Sequence, residues 1–150
     1  MRVLLDTQCW LWWFLSPDEL NPRARETIAS ARDPLYLSAA SSWEISIKTS
    51  LGKLRLPQPP KRYVPARLAE TGMSAMAVEH AHALRVAELP PLHGDPFDRL
   101  LVAQAQIERM TLMTADPEIV AYDVETLWAG RGLPPTRGRR RRRSEPASRA

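Results

Sequence analysis

DPFDRLLVAQAQIERMTLMTADP, residues Asp95 to Pro117, decides how the chain is read. Phe97, Leu100, Leu101, Gln104 and Ile107 follow the i, i+3, i+4 rhythm of a helix with one buried face. Asp95 is a favourable N-cap, and Pro96 fits the first helical position, where its missing N–H has no intrahelical partner to lose. The helix is expected over Phe97 to Met110. The short run Thr111-Leu112-Met113-Thr114 then reads as a strand, closed by Ala115-Asp116-Pro117. A helix therefore leads into a strand that ends in an acid.

The same alternation extends outward in both directions. Val3-Leu4-Leu5 is a continuous apolar run, the mark of a parallel strand buried on both faces, and it ends in Asp6-Thr7. Asn21-Pro22 opens a helix that Asp33-Pro34 stops after about Arg32, and Leu35-Tyr36-Leu37 is a second strand. A helix over Ser41 to Lys48 carries Trp43, Ile45 and Ile47, and a turn at Leu51-Gly52-Lys53-Leu54 leads into a proline-rich connector. Tyr63 to Glu70 reads as helix, with Gly72 placed to close it. Met73 to Val78 is a weak strand, Glu79 to Leu89 a helix stopped by Pro90-Pro91, and a last strand falls near Asp123 to Leu127. Strands alternating with helices predict an α/β sandwich with a mainly parallel sheet. No internal repeat interrupts the pattern.

The chain has 150 residues, the size of one domain, and 44% of them are hydrophobic, enough for one core without a disulfide staple. Its single cysteine, Cys9, excludes an intramolecular disulfide and fits a reducing cytoplasm. The apolar stretch Trp10 to Leu15 is far too short to span a bilayer, so neither secretion nor a membrane anchor is expected, and the expected location is cytoplasmic. The net charge of +4 is unevenly placed: residues 131–150 hold eight Arg and one Glu, which leaves −3 on residues 1–130. Two segments follow: a folded unit over 1–130, and an Arg-rich tail over 131–150 whose Gly, Pro, Ser and Arg composition predicts disorder. Five consecutive arginines, Arg139 to Arg143, allow sequence-independent affinity for a polyanion, or are merely a solvated extension.

Asp6 and Asp116 each follow a strand, and in open parallel sheets ligands bind beyond the carboxyl ends of the strands. Asp98 and Glu44 are expected in the first turns of their helices, which begin at that same edge. Four acids from distant positions thus converge. Carboxylates this close cannot all stay ionised without strong repulsion: some take up protons, or cations bind between them. Hard divalent ions such as Mg²⁺ and Mn²⁺ prefer oxygen donors, and they can activate water and offset charge on a phosphoryl group. Each acid also has a purely structural reading. Ser41-Ser42-Trp43-Glu44 matches a capping box, Asp95 and Asp116 each precede a proline as an N-cap would, the same helix start explains Asp98 only partly, and Asp6 serves no obvious cap.

Taken in order, Leu4-Leu5-Asp6-Thr7, Ser42-Trp43-Glu44-Ile45, Leu51-Gly52-Lys53-Leu54, Asp95-Pro96-Phe97-Asp98-Arg99-Leu100-Leu101-Val102-Ala103-Gln104-Ala105 and Thr114-Ala115-Asp116 resemble a PIN domain of the VapC toxin type over about residues 1–128. The resemblance implies a three-layer α/β/α fold. It implies Mg²⁺- or Mn²⁺-dependent cleavage of RNA leaving a 5′-phosphate and a 3′-hydroxyl, with Asp6, Glu44, Asp98 and Asp116 binding the metal. It also implies a homodimer inhibited by a cognate antitoxin protein whose tail blocks the cleft. Two positions depart from the pattern: Gln8 stands where relatives often have His, and Gly94 where they often have a basic residue.

Further residues carry paired readings. Thr7 and Thr114 are second-line candidates for hydrogen bonds to metal ligands, or are ordinary strand-end hydroxyls. Asp95 is read mainly as a cap, and Arg99 either steadies a carboxylate or meets phosphate, or is an exposed helix-face residue. Among His80, His82 and His93 a zinc site is not expected: the first two do not share a helix face and no cysteine is near. Cys9 reads as a packed thiol, and Trp10, Trp12, Trp13 and Phe14 as core or dimer surface rather than base-stacking groups. A non-catalytic RNA-binding module on the same fold competes with the nuclease, although the complete acidic set argues against it. A phospho-accepting receiver ranks last, since no lysine lies near the late strands.

Overall fold

A computed structural model describes residues 1–136. Five strands form one sheet: β1 (Val3–Leu5), β2 (Leu35–Ser38), β3 (Ser74–Met76), β4 (Thr111–Thr114) and β5 (Thr126–Trp128). The order across the sheet is β3-β2-β1-β4-β5, and every neighbouring pair is parallel. Among the described residues seven α-helices connect and cover them: α1 (Thr7–Leu15), α2 (Pro22–Ser30), α3 (Ala39–Ser50), α4 (Pro60–Thr71), α5 (His80–Arg85), α6 (Pro96–Glu108) and α7 (Pro117–Val120).

Strand alternation sorts the core into two layers. Val3 and Leu5 of β1, Leu35 and Leu37 of β2 and Met113 of β4 face one way, where Trp10, Leu20, Ile28 and Tyr63 pack on them. Leu4 and Leu112 face the other way, against Leu101, Val102, Ile119 and Tyr122. Both sides are buried, which is why the strands read as unbroken apolar runs, and the result is a three-layer α/β/α sandwich. From β1 the chain winds outward through β2 to β3, whereas β4 and β5 lie on its other side. The switch in direction leaves a crevice at the carboxyl ends of β1 and β4, the place where such sheets bind ligands.

Several local expectations change. Thr7–Leu15 is a helix, not merely an apolar cluster, and Asp6 caps it by accepting from the Cys9 N–H at 2.7 Å. The capping box at Ser41 does not form. Ser38 is the cap of α3, accepting from the Ala40 N–H at 3.0 Å, so Ser41 lies inside the helix and Glu44 lies beyond its first turn. On α6 the buried residues are the continuous run Leu101–Ala105, while Ile107 is 39% exposed. The helix is wedged between the sheet and α3 and α5, so it buries more than the one stripe that the periodicity suggested. Asp95 caps α6 with Pro96 in its first turn, and Gly72 closes α4 with φ +71°, a left-handed value glycine adopts without strain. The expected boundary after Gly130 is followed by described chain to Thr136 with no helix or strand; the Arg139–Arg143 run lies outside the described residues.

Candidate metal-binding cleft

The end of β1 fixes Asp6. Its Oδ1 accepts from the Cys9 amide and its Oδ2 from the Thr114 hydroxyl at 2.6 Å. The residue is 4% exposed, and burial raises its pKa above the ordinary carboxylate value against the pull of these hydrogen bonds. One strand over, Thr114 also accepts from the Asp116 N–H at 3.0 Å, so a single hydroxyl ties the two strand ends together. Asp116 caps α7, its Oδ1 accepting from the Glu118 N–H at 2.9 Å, which leaves Oδ2 turned to other partners.

Asp98 enters from the first turn of α6, where the Asp95 cap accepts from the Phe97 and Asp98 amides at 2.8 and 3.2 Å. Burial, together with the charges of Asp95, Asp6 and Glu44 and against the pull of His93, pushes Asp98 up to about 7. Glu44 reaches the cleft from α3 and is 5% exposed. Its Oε2 lies 2.7 Å from Lys48 Nζ one turn later, and its Oε1 is buried with no hydrogen-bond partner. Asp6, Glu44, Asp95, Asp98 and Asp116 together line a cleft of about 310 Å³, with Lys48 at its side. All four expected acids are brought together there.

The secondary candidates divide. Thr114 touches Asp6 and the Asp116 backbone as expected. The Thr7 hydroxyl donates to Ser41 Oγ at 2.9 Å, joining α1 to α3 at the wall of the cleft. Arg99 is half-buried, and its guanidinium donates to the carbonyls of Val86 and Pro90, each at 3.0 Å, and to the Tyr122 hydroxyl at 3.1 Å, clamping the loop that precedes α6. Cys9 is fully buried, with burial raising its thiol pKa well above the usual range, so it is a packed thiol. Trp10 is fully buried, in edge-to-face contact with Phe14 and Tyr63.

Two residues in or beside the cleft were not expected from the sequence. Lys48 neutralises Glu44, a pairing its i, i+4 spacing does encode. His93, in the loop before α6, places Nε2 2.6 Å from Asp116 Oδ2 and 3.1 Å from Asp98 Oδ2. Burial works against its charge, but the carboxylates of Asp116, Asp98 and Glu118 outweigh it and its pKa is raised. The other histidines are elsewhere: His82 pairs with Glu108 at 2.9 Å, and His80 is exposed.

The donor set suits a divalent cation. Several acids surround one space, one has its pKa pushed up to about 7 mainly by burial, and one buried carboxylate oxygen has no hydrogen-bond partner. Among the described residues, no helix is long and apolar enough to cross a membrane.

The family model for the PIN domain matches residues 3–125. Ribonuclease VapC16 of Mycobacterium tuberculosis is 44% identical over 68 residues, 45% of this chain; the match spans about half of that relative, 48% of its length. Ribonuclease VapC22 of the same organism is 31% identical over 120 residues, 80% of this chain and 91% of the relative. Among solved structures, VapBC2 from Rickettsia felis, crystallised bound to a DNA fragment from their promoter, matches with a TM-score of 0.63 at 14% identity, covering 86% of this chain and 99% of that one. FitAcB from Neisseria gonorrhoeae matches with a TM-score of 0.58 at 20% identity, covering 83% and 95%. The solved structures speak for the fold, and the family model and VapC22 for the sequence. By its sequence, its parallel five-stranded sheet and the match across residues 3–125, this chain belongs to the PIN domain family.

Proposed function

We propose that the chain is a metal-dependent endoribonuclease, the toxin of a toxin–antitoxin pair, with residues 1–130 as the nuclease unit. The observation that carries this reading is the convergence of Asp6, Glu44, Asp98 and Asp116 on one cleft, with Glu44 Oε1 buried and unpartnered. The ribonuclease names of VapC16 and VapC22 support RNA as substrate, and the toxin–antitoxin assemblies among the structural relatives support an antitoxin partner. The reading includes a homodimer, supported by Trp43, 62% exposed, which packs edge-on against the half-buried Phe97. It also includes a cytoplasmic location, supported by one buried free cysteine.

Asp6, Glu44, Asp98 and Asp116 would hold Mg²⁺ or Mn²⁺. Such an ion supplies an activated water and offsets the charge that builds on the scissile phosphate, giving a 5′-phosphate and a 3′-hydroxyl. The protein's own groups do the positioning. Thr114 orients Asp6 and fixes the backbone of Asp116, and Asp95 anchors the turn that presents Asp98. Lys48 balances Glu44 at the side of the cleft.

The test is cleavage of a mixed RNA pool in Mn²⁺ by the wild type, Asp6→Ala and Asp98→Ala, each checked for folding by circular dichroism. Loss of activity in both folded variants is expected. Equal cleavage by all three proteins would refute the assignment of the cleft. Absence of both cleavage and Mn²⁺ binding in the wild type would leave only an RNA-binding module.

A further inference from the structure

We infer that His93 is a nitrogen donor to the cation, so that the cleft is a mixed nitrogen–oxygen site that favours Mn²⁺ over Mg²⁺. The inference rests on the proposed metal-dependent reading of the cleft and adds a ligand to it. His93 Nε2, one oxygen of Asp98 and one of Asp116 lie within 4.8 Å of one another, the only such group of three among the described residues. Two ligands bound to one ion at right angles, each at about 2.1 Å, are separated by about 3 Å. The observed separations from Nε2 are 2.6 Å to Asp116 Oδ2 and 3.1 Å to Asp98 Oδ2. Without an ion, a proton on Nε2 lies between two carboxylates, in the place that a shared cation would take.

The far side of the ring is prepared for this role. Glu118 Oε2 lies 3.1 Å from His93 Nδ1. A histidine that ligates a metal through one nitrogen commonly donates its other N–H to a carboxylate, which fixes the ring and raises its basicity. Nδ1 also accepts from the Asp95 N–H at 3.0 Å, and placing the proton on Nδ1 gives up that one hydrogen bond. The ring is otherwise held in place: the His93 side chain is 10% exposed, and its backbone N–H donates to the Tyr122 hydroxyl at 3.0 Å. The independent sign of a ligand site is across the cleft, where Glu44 Oε1 is buried without a partner.

Imidazole is a donor for transition ions, whereas Mg²⁺ selects oxygen and water. Replacing His93 should therefore discriminate between metals. For His93→Gln the affinity for Mn²⁺ is expected to fall by about tenfold or more, and that for Mg²⁺ by much less. The decisive measurement is pulsed electron paramagnetic resonance of Mn²⁺ on the full-length protein. The wild type should show the nitrogen coupling of a directly bound imidazole, changed to that of ¹⁵N when histidine alone is labelled and absent in His93→Gln. Calorimetric titration with Mn²⁺ and Mg²⁺ gives the affinities, and Glu118→Gln should weaken Mn²⁺ while keeping the coupling. Mn²⁺ bound in a manner abolished by Asp98→Asn but without nitrogen coupling would overturn the role of His93 and leave the carboxylate site standing. No Mn²⁺ binding at all would overturn both. Because the spectrum is read on the wild type, the answer does not depend on whether His93→Gln folds.

Discussion

Raising the pH from 5 to 8 should destabilise the metal-free protein, and Asp98 should account for most of the loss. Its carboxyl is pushed up to about 7 in the fold, against 3.8 for the ordinary group. Between those values the unfolded chain has released the proton that the native state keeps, so stability falls as pH rises. Asp6, also raised, acts in the same direction. So does His93: its raised pKa contributes stability below its ordinary value, and this is lost as pH rises through the folded value. Asp98 has a side chain 20% exposed, so solvent does little to screen the effect. A displacement of about three units corresponds to about 4 kcal/mol. By the linkage relation about 1.5 kcal/mol of it is already lost at pH 5, leaving about 2.5 kcal/mol between pH 5 and 8. For a chain of this size that is a fall in Tm of roughly 5–10 °C. The assay is thermal unfolding in EDTA at constant ionic strength, wild type beside Asp98→Asn. The variant should lose most of the pH dependence, and Mn²⁺ at about 100 times its Kd should return about 2.7 kcal/mol to the wild type at pH 8. A wild-type Tm that is flat or rises over this range, or an unchanged slope in Asp98→Asn, would refute the reasoning.

Thr114→Val keeps the shape but removes the donor to Asp6 Oδ2; urea unfolding should show a loss of about 1.5–3 kcal/mol, and RNA cleavage should fall with it. Arg99→Ala should cost about 1.5–3 kcal/mol by the same measurement, because it removes the charged hydrogen bonds to the carbonyls of Val86 and Pro90, while Mn²⁺ affinity of the folded fraction stays within about twofold. Trp10→Ala empties the centre of the α1 layer and should cost about 3–5 kcal/mol, seen as a lowered urea midpoint. Gly130→Ala should lower Tm as well, since an added Cβ would stand 2.9 Å from the Trp128 ring and 3.3 Å from Ala115 Cβ.

Much of this was legible because the sheet is parallel. Strands buried on both faces write themselves as Val3-Leu4-Leu5 and Leu112-Met113, and the acid after each marks the ligand-binding edge. The missed features have physical causes. Thr7–Leu15 is apolar on nearly every side, so no stripe stood out, and without that helix Asp6 had no visible cap to serve. Ser41 matched a capping pattern, but Ser38, at the end of β2, is placed earlier and takes the role. Asp98 and Asp116 were found through local helix and strand logic. His93 was not, because no helix face or ligand spacing links it to Asp98, Asp116 and Glu118; only the folded loop brings them together. The carbonyls that Arg99 holds were not foreseen for the same reason, since they lie in a loop whose path is a tertiary property.

The middle strand of the sheet comes first of the five in chain order, and its two flanking strands are separated by about half of the chain. Asp6 N–H donates to Met113 O, and Asp6 Oδ2 accepts from Thr114, contacts that span more than a hundred residues. A nascent chain that has not yet delivered β4 therefore has Asp6 without its supporting hydroxyl, lacks Asp116, and has no cleft. Pairing across so long a separation is also slow relative to local helix formation. The cleft on which the proposed activity depends therefore assembles late, only after the segment carrying β4 has emerged and paired with β1.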